Sequence, residues 1–337
     1  MMSPTAERLW GFRHAFDHPV TAWLTLLIAG AVVVAMVVIA VLSFTGRLDA
    51  KLRRELWLRT ASWAILAPAV CVPLLLGAFW TMLAFAAISL ACYYEYARAT
   101  GLFREKLVSA TTVFAILMVY VAALDHWYAF FFALIPLGMV AIAIISIPLD
   151  RPAGYIQRTG LAVLGFLLFG SALAHLAYMA NDSNYRPIIL LVLVAVSLND
   201  VFAFIIGKTI GGPKLLPQTS PNKTVSGSLG ALILTTCFVT VIAGPIFADT
   251  RLAGLVPRIG LGLIVGAIGQ LGDLMVSSIK RDIGIKDMGA TVPGHGGVLD
   301  RFNSLLLVAP SVFHYINYHV HFGLDQKVRI FTGGSGG

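Results

Sequence analysis

The sequence predicts an all-α, polytopic membrane protein of about ten transmembrane helices with one polar site facing the cytoplasm. Composition is the first reason: of 337 residues, 58% are hydrophobic and 12% charged, which excludes an ordinary soluble domain. Second, apolar runs near twenty residues recur along the chain, the length needed to cross the hydrocarbon of a bilayer as a helix. Third, Lys and Arg are distributed unevenly over the loops between those runs.

The runs fall at about 20–44, 60–77, 79–98, 107–124, 127–148, 159–180, 187–208, 226–247, 258–278 and 301–321. Gly77 is the only break between the second and third. Residues 1–19 contain no apolar core and read as a polar lead, an interfacial helix with Trp10 and Phe12, without a cleavable signal. When alternate loops are assigned to the cytoplasm starting from residues 46–59, the inside set takes most of the 24 Lys and Arg. The outside set keeps Arg8, Arg13, Arg186, Arg251, Arg258, Lys327 and Arg329. This bias puts both termini outside and the Gly272–Ser304 stretch inside; the membrane expected is a bacterial inner membrane.

Residues 1–58 form a lead plus an additional helix and 59–186 a transmembrane scaffold. Residues 187–330 carry the polar constellations, and 331–337 read as a linker or tag remnant. The net charge of +8 suits anionic headgroups and nucleotide phosphates. No basic run interleaved with aromatics lies outside the membrane, so no nucleic-acid partner is expected. Cys71, Cys92 and Cys237 lie in apolar runs without metal-ligand spacing and read as structural thiols. No repeat of matching halves suggests an inverted-repeat transporter.

Charged groups at membrane depth are costly and mark functional sites. The densest such stretch is Gly272 to Ser304. Asp273, Ser277, Lys280 and Arg281 share one face of a helix leaving the bilayer, and Pro293 to Gly297 interrupts it. Asp300, Asn303 and Ser304 share a face again at the start of the last apolar run. Two helix ends thus turn oxygen ligands and cations toward one loop, an arrangement suited to a polyphosphate and its metal ions. A second constellation runs from Asn199 to Gly227. Asp200 lies in an apolar helix, where its bland role is an interhelical hydrogen bond. Beyond it, a Gly-, Pro- and Lys-rich loop offers Lys208, Lys214, Ser220, Lys223 and Thr224 to phosphate, though any cytoplasmic loop contains lysines.

The pattern S-x-x-K-R-x(4)-K-D-x(5)-P-G-H-G-G-x-x-D-R, Ser277 to Arg301, resembles the signature of the phosphatidate cytidylyltransferase (CDP-diacylglycerol synthase) family. Asp200, Ala203, Phe204, Gly207, Lys208, Gly211, Leu215, Pro217, Ser220, Pro221, Lys223, Thr224 and Gly227 match a second pattern of that family. Two positions depart from it. Ser226 stands where Glu is usual, and Asn303 where the family continues D-R-x-D.

The resemblance implies that CTP and phosphatidic acid yield CDP-diacylglycerol and pyrophosphate. It also implies a catalytic set of Asp273, Lys280, Arg281, Lys286, Asp287, His295, Asp300 and Arg301. A substrate-binding set would comprise Asp200, Lys208, Lys214, Ser220, Lys223, Thr224, Ser277, Gly296 and Gly297. Mg²⁺, with a second metal ion alongside, would rest on Asp273, Asp300 and Asn303, since hard cations take oxygen ligands. A homodimer is implied by the resemblance alone. Two other readings stand beside this one: a CTP-dependent kinase of a polyprenol-type lipid, and a non-catalytic paralogue that binds lipid or nucleotide.

Among the remaining polar groups, Glu95 is expected to pair at the interface with Arg98, one turn away. The basic stretch Arg47 to Arg59 reads as a topology determinant and headgroup contact. His175, His314, His319 and His321 read as packing or interface residues.

Overall fold

The computed structural model describes residues 4–45, 49–292, 294, 296–323 and 326–333. Nine helices among the described residues are long and apolar enough to cross a membrane. They are α2 (Pro19–Phe44), α3 (Ala50–Leu76), α4 (Ala78–Thr100), α5 (Lys106–Leu124), α6 (Tyr128–Ile145), the composite span Tyr155–Met179, α9 (Tyr185–Thr209), α10 (Val225–Ile246) and α11 (Leu255–Asp282). A short α1 (Pro4–Trp10) precedes them. The composite span is α7 (Tyr155–Gly165) and α8 (Leu173–Met179), joined by a π-helical turn, Phe166–Ala172. The tenth expected run divides into α12 (Leu299–Phe302) and α13 (Leu305–His319), the latter only 15 residues long.

Burial ranks the spans. In its most apolar window α2 is 11% buried, whereas the α7–α8 span is 72% buried, so α2 lies at the periphery and α7–α8 at the centre. Around that centre the large side chains Tyr96, Phe166, Phe169, Tyr178 and Phe313 are fully enclosed. Three hydroxyls in this interior find backbone partners. Tyr96 Oη donates to Leu161 O at 3.1 Å, Tyr120 Oη to Phe85 O at 3.0 Å, and Ser89 Oγ to Phe169 O.

On the side expected to face outward, Gly77 (φ 141°) separates α3 from α4, the one-residue break the sequence marked. A side chain there would collide with Leu9 O of α1. The polar lead is thus more than an interfacial helix. Arg8 Nη1 donates to Asn181 Oδ1 at 3.1 Å, and Arg186 Nη2 donates to Gly11 O at 2.8 Å. Of the tail from residue 331, the amides of Phe331 and Thr332 donate to Asp125 Oδ1 at 2.6 and 3.2 Å; residues 334–337 lie outside the described residues.

The helices that carry the polar constellations, α9, α10, α11 and α13, pack through small residues. A Cβ on Gly227 of α10 would meet Ala203 O of α9 at 2.5 Å, and one on Gly262 of α11 would meet the Thr236 backbone at 2.7 Å. On Gly272 it would meet Asn303 O at 2.9 Å. Between lipid-solvated helices such close approach supplies much of the association energy. Buried Asn199 then pins three helices, donating from Nδ2 to Gly266 O at 3.1 Å and accepting from Thr235 Oγ1 at 3.1 Å. Gln270 repeats the device, accepting from Ser228 Oγ and donating to Ser228 O at 3.0 Å. Asn199→Ala is expected to lower the unfolding free energy in detergent by about 1 kcal/mol, the scale of an interhelical hydrogen bond in a membrane protein, as read by thermal or denaturant unfolding.

Candidate functional site

Helix α9 ends at Thr209, and the chain returns through a short antiparallel ribbon, β1 (Lys214–Leu216) and β2 (Ser220–Thr224), where the sequence suggested only a loop. Thr224 caps α10, its Oγ1 accepting from Gly227 N at 3.1 Å. Ser226, the departure from the usual Glu, donates from Oγ to Gly211 O and so closes the ribbon's base.

Between this ribbon and the helices lies a pocket of about 260 Å³. Its walls include Asp200 and Phe204 of α9, Ser220, Asn222 and Lys223 of the ribbon, and Gln270 of α11. Lys223 Nζ lies 2.5 Å from Asp273 Oδ2, an ion pair that joins the ribbon to α11. On its other oxygen Asp273 accepts from Asn303 Nδ2 at 2.5 Å. Asp200, Lys223, Asp273 and Asn303, drawn from separate elements, therefore form one polar centre.

The signature loop between α11 and α12 is shaped by two carboxylates. Asp300, with a side chain 2% exposed, accepts from Lys280 Nζ at 2.8 Å through Oδ1. Through Oδ2 it accepts from Met288 N at 2.9 Å and Gly297 N at 3.0 Å. Gly294 and Gly296 take positive φ (74° and 81°), which any other residue would adopt only with strain, and Val292 N donates to Gly296 O at 2.8 Å across the turn. A Cβ on Gly296 would sit 3.0 Å from Asp300 Oδ2. Asp287 packs beside Gly296, while Lys286 and Arg301 are exposed. Arg281 is spent on backbone, donating to Thr219 O at 3.4 Å and Ile285 O at 3.2 Å, so it ties the ribbon to the signature helix. His295 lies outside the described residues.

The second carboxylate is Glu95 of α4, and here the expectation is corrected. Arg98 turns away from it, donating to Tyr94 Oη at 3.1 Å. Glu95 is 4% exposed and faces the signature loop, accepting from Val298 N and Leu299 N, each at 2.9 Å, and from Thr291 Oγ1. Gly289 and Gly297 make room for it, since a Cβ on either would collide with the carboxylate. The acid bonds the free amides at the start of α12 from a distant part of the chain. The sequence signal was partial: a lone Glu at membrane depth needs partners, but spacing pointed to Arg98 and not to backbone amides some two hundred residues away.

Lys208 and Lys214 stand apart from the centre. Lys208 lies over the Phe204 ring at 5.7 Å, and Lys214 is exposed on β1. Ser277 is buried on α11, one turn beyond Asp273.

With the geometry in place, comparison with known proteins decides the family. Residues 57–319 match the model of the cytidylyltransferase family. The chain belongs to that family. A phosphatidate cytidylyltransferase of Bacillus subtilis is 34% identical over 222 residues, covering 62% of this chain and 79% of that protein. One from Staphylococcus saprophyticus is 44% identical over 122 residues, 36% of this chain and 46% of the relative. The uncharacterized protein YnbB of Escherichia coli is 35% identical over 197 residues, 57% of this chain and 65% of its own length. The chain thus spans under two thirds of two of these three relatives. Both polar constellations and Glu95 lie inside the region matched to the cytidylyltransferase family.

Glu95→Ala removes the acceptor for two backbone amides and a hydroxyl, each costing about 1–3 kcal/mol when buried and unmet. Amide exchange across residues 288–299 is expected to accelerate tenfold or more in Glu95→Ala, and less in Glu95→Gln, whose amide oxygen still accepts. Hydrogen-exchange mass spectrometry reads both.

Proposed function

We propose that this cytidylyltransferase-family member transfers a cytidylyl group from CTP to phosphatidic acid, giving CDP-diacylglycerol and pyrophosphate at the cytoplasmic face of a bacterial inner membrane. One observation carries the reading: a pocket lined by Asp200 of α9, Ser220, Asn222 and Lys223 of the ribbon and Gln270 of α11 is joined through the Lys223–Asp273 ion pair to Asp273 and Asn303. That combination suits a triphosphate meeting a lipid phosphate.

In the proposed reaction a phosphate oxygen of the lipid forms a bond to the α-phosphorus of CTP. The bond from that phosphorus to the bridging oxygen of the β-phosphate breaks, and pyrophosphate leaves with the electron pair. Both reactants are anions, so the protein's task is to hold them in line and offset their repulsion. Lys223, Lys280, Lys286 and Arg301 supply positive charge. Ser220 and Asn222 offer hydrogen bonds to the nucleotide in the pocket. Arg281 holds the ribbon against the signature helix.

Among the described residues no three His, Cys, Asp or Glu side chains converge as a metal cage. Mg²⁺ does not require one: it keeps several waters, takes substrate phosphate oxygens, and is held by one or two protein carboxylates. Asp273, with Asp200 nearby, would hold such a cation through the lone pairs that Lys223 Nζ and Asn303 Nδ2 leave free; the Asn303 nitrogen beside it is a donor and supplies no ligand. When bound it would offset charge on the phosphates. Three of the roughly four acceptor positions of Asp300 are already filled. We therefore assign Asp300 to positioning Lys280 and the loop, in place of the direct metal contact expected from the sequence.

Purified protein in mixed micelles with Mg²⁺, phosphatidic acid and CTP labelled at the α- and γ-phosphates tests the reading. The expected outcome is α-label in the organic extract and released pyrophosphate. With a lipid alcohol as acceptor, γ-label in the extract would establish a kinase instead, and no transfer to either lipid would leave a binding paralogue. Asp273→Ala is expected to cut turnover at least a hundredfold, and Asn303→Asp to shift the Mg²⁺ dependence of the rate while turnover persists.

A further inference from the structure

Helix α3 runs as one piece from Ala50 to Leu76, and its first turns extend past the hydrophobic layer. About twenty helical residues cross the hydrocarbon, at about 1.5 Å each. Counted back from the Gly77 break, the apolar span begins near Trp57. Trp57 and Trp63 are both exposed, as aromatic side chains at a membrane boundary are. Lys51, Arg53 and Arg54 then lie about 4–9 Å further out. That is the depth of lipid phosphates, not of the open cytoplasm.

These three residues are exposed and enter no ion pair among the described residues. The neighbouring acids are occupied. Asp49 caps the helix, accepting from Leu52 N at 2.7 Å, and Glu55 pairs with Arg59 at 2.5 Å. The patch also adjoins the signature loop. A Cβ on Gly294 would sit 3.1 Å from Leu58 Cβ and 3.4 Å from Arg59 N, so the loop's tip rests on α3 where it leaves the hydrocarbon. Lys51 and Arg54 precede Leu58 by seven and four positions and share its helix face.

We propose that Lys51, Arg53 and Arg54 form a binding surface for the phosphate of an anionic phospholipid and gather the lipid substrate beside the signature loop. The depth of the patch selects a lipid over CTP as its occupant. Each basic side chain near an anionic surface is worth about a fivefold local enrichment. That the gathered lipid is the substrate rests on the cytidylyl-transfer reading; that the patch binds anionic lipid does not.

The full-length protein, its K51Q/R53Q/R54Q variant and the charge-retaining K51R/R53K/R54K variant are compared in two ways. In detergent, the thermal unfolding midpoint is followed against short-chain phosphatidic acid, short-chain phosphatidylcholine, inorganic phosphate and CTP. In phosphatidylcholine vesicles, turnover is followed against the mole fraction of phosphatidic acid. The protein and its charge-retaining variant are expected to be stabilised by phosphatidic acid above the other additives at the patch, and the neutral variant to lose that increment while keeping the CTP response. The neutral variant should need at least a fivefold higher mole fraction of phosphatidic acid for half-saturation, with the same turnover at saturation and the same KM for CTP. Equal half-saturation and an unchanged lipid shift in the neutral variant would overturn the proposal, as would stabilisation by inorganic phosphate equal to that by lipid. If the unaltered protein transfers nothing from CTP, the reaction reading fails while the midpoint shifts still decide the patch. Should the triple variant not fold, R54Q alone is measured in the same way.

Discussion

The site depends on two carboxylates that accept backbone amides from a loop whose described residues form neither helix nor strand. The signature turn holds glycines at positive φ and an isolated bridge in place of a strand, so its amides would otherwise remain unmet at a membrane surface. Asp300 takes the amides of Met288 and Gly297; Glu95 takes those of Val298 and Leu299. Charge-assisted bonds of this kind are stronger than neutral ones, and here they cross from one helix layer to another. The loop's conformation is thereby set by α4 as much as by its own residues.

That constraint accounts for the glycine pattern. Gly289 and Gly297 are small because the Glu95 carboxylate occupies the space where their side chains would be, and Gly296 because Asp300 does. The same economy operates between helices. Gly227, Gly262 and Gly272 bring α9, α10, α11 and α13 to backbone contact, and only at that separation do Lys223 and Asp273, from different elements, form an ion pair. Buried ion pairs are poor sources of net stability, since desolvation offsets most of the attraction. Lys223–Asp273 joins the ribbon to α11, and Lys280–Asp300 joins α11 to the signature loop.

Nucleotidyl transfer between two anions is limited by repulsion and geometry, and the fold addresses both with few charges. Positive groups approach from the ribbon, from α11 and from α12. The basic start of α3 adds charge at phosphate depth beside them. On the proposed reading, the lipid would be gathered in the plane of the membrane and the nucleotide held in the pocket, two tasks that a soluble enzyme would combine in one cleft.

Much of this was legible in the sequence. Run length located the membrane-spanning helices, because a bilayer admits few alternatives, but it missed the ten-residue polar start of α3 and the division of the last run into α12 and α13, and the resemblance marked the signature. Asp273 and Asn303 could be expected together, since both lie at helix ends flanking one loop. Glu95 could not be placed, because local spacing offered Arg98 as a partner and only the packing of α4 against the loop showed amides in greater need. The ribbon escaped because its strands are three and five residues long, with Pro221 inside the second. The partners of Asp300 were likewise visible only in the tertiary structure: a carboxylate in a sequence can serve a metal, a lysine or a backbone equally well, and which donors fill its lone pairs depends on what the fold brings within hydrogen-bonding reach.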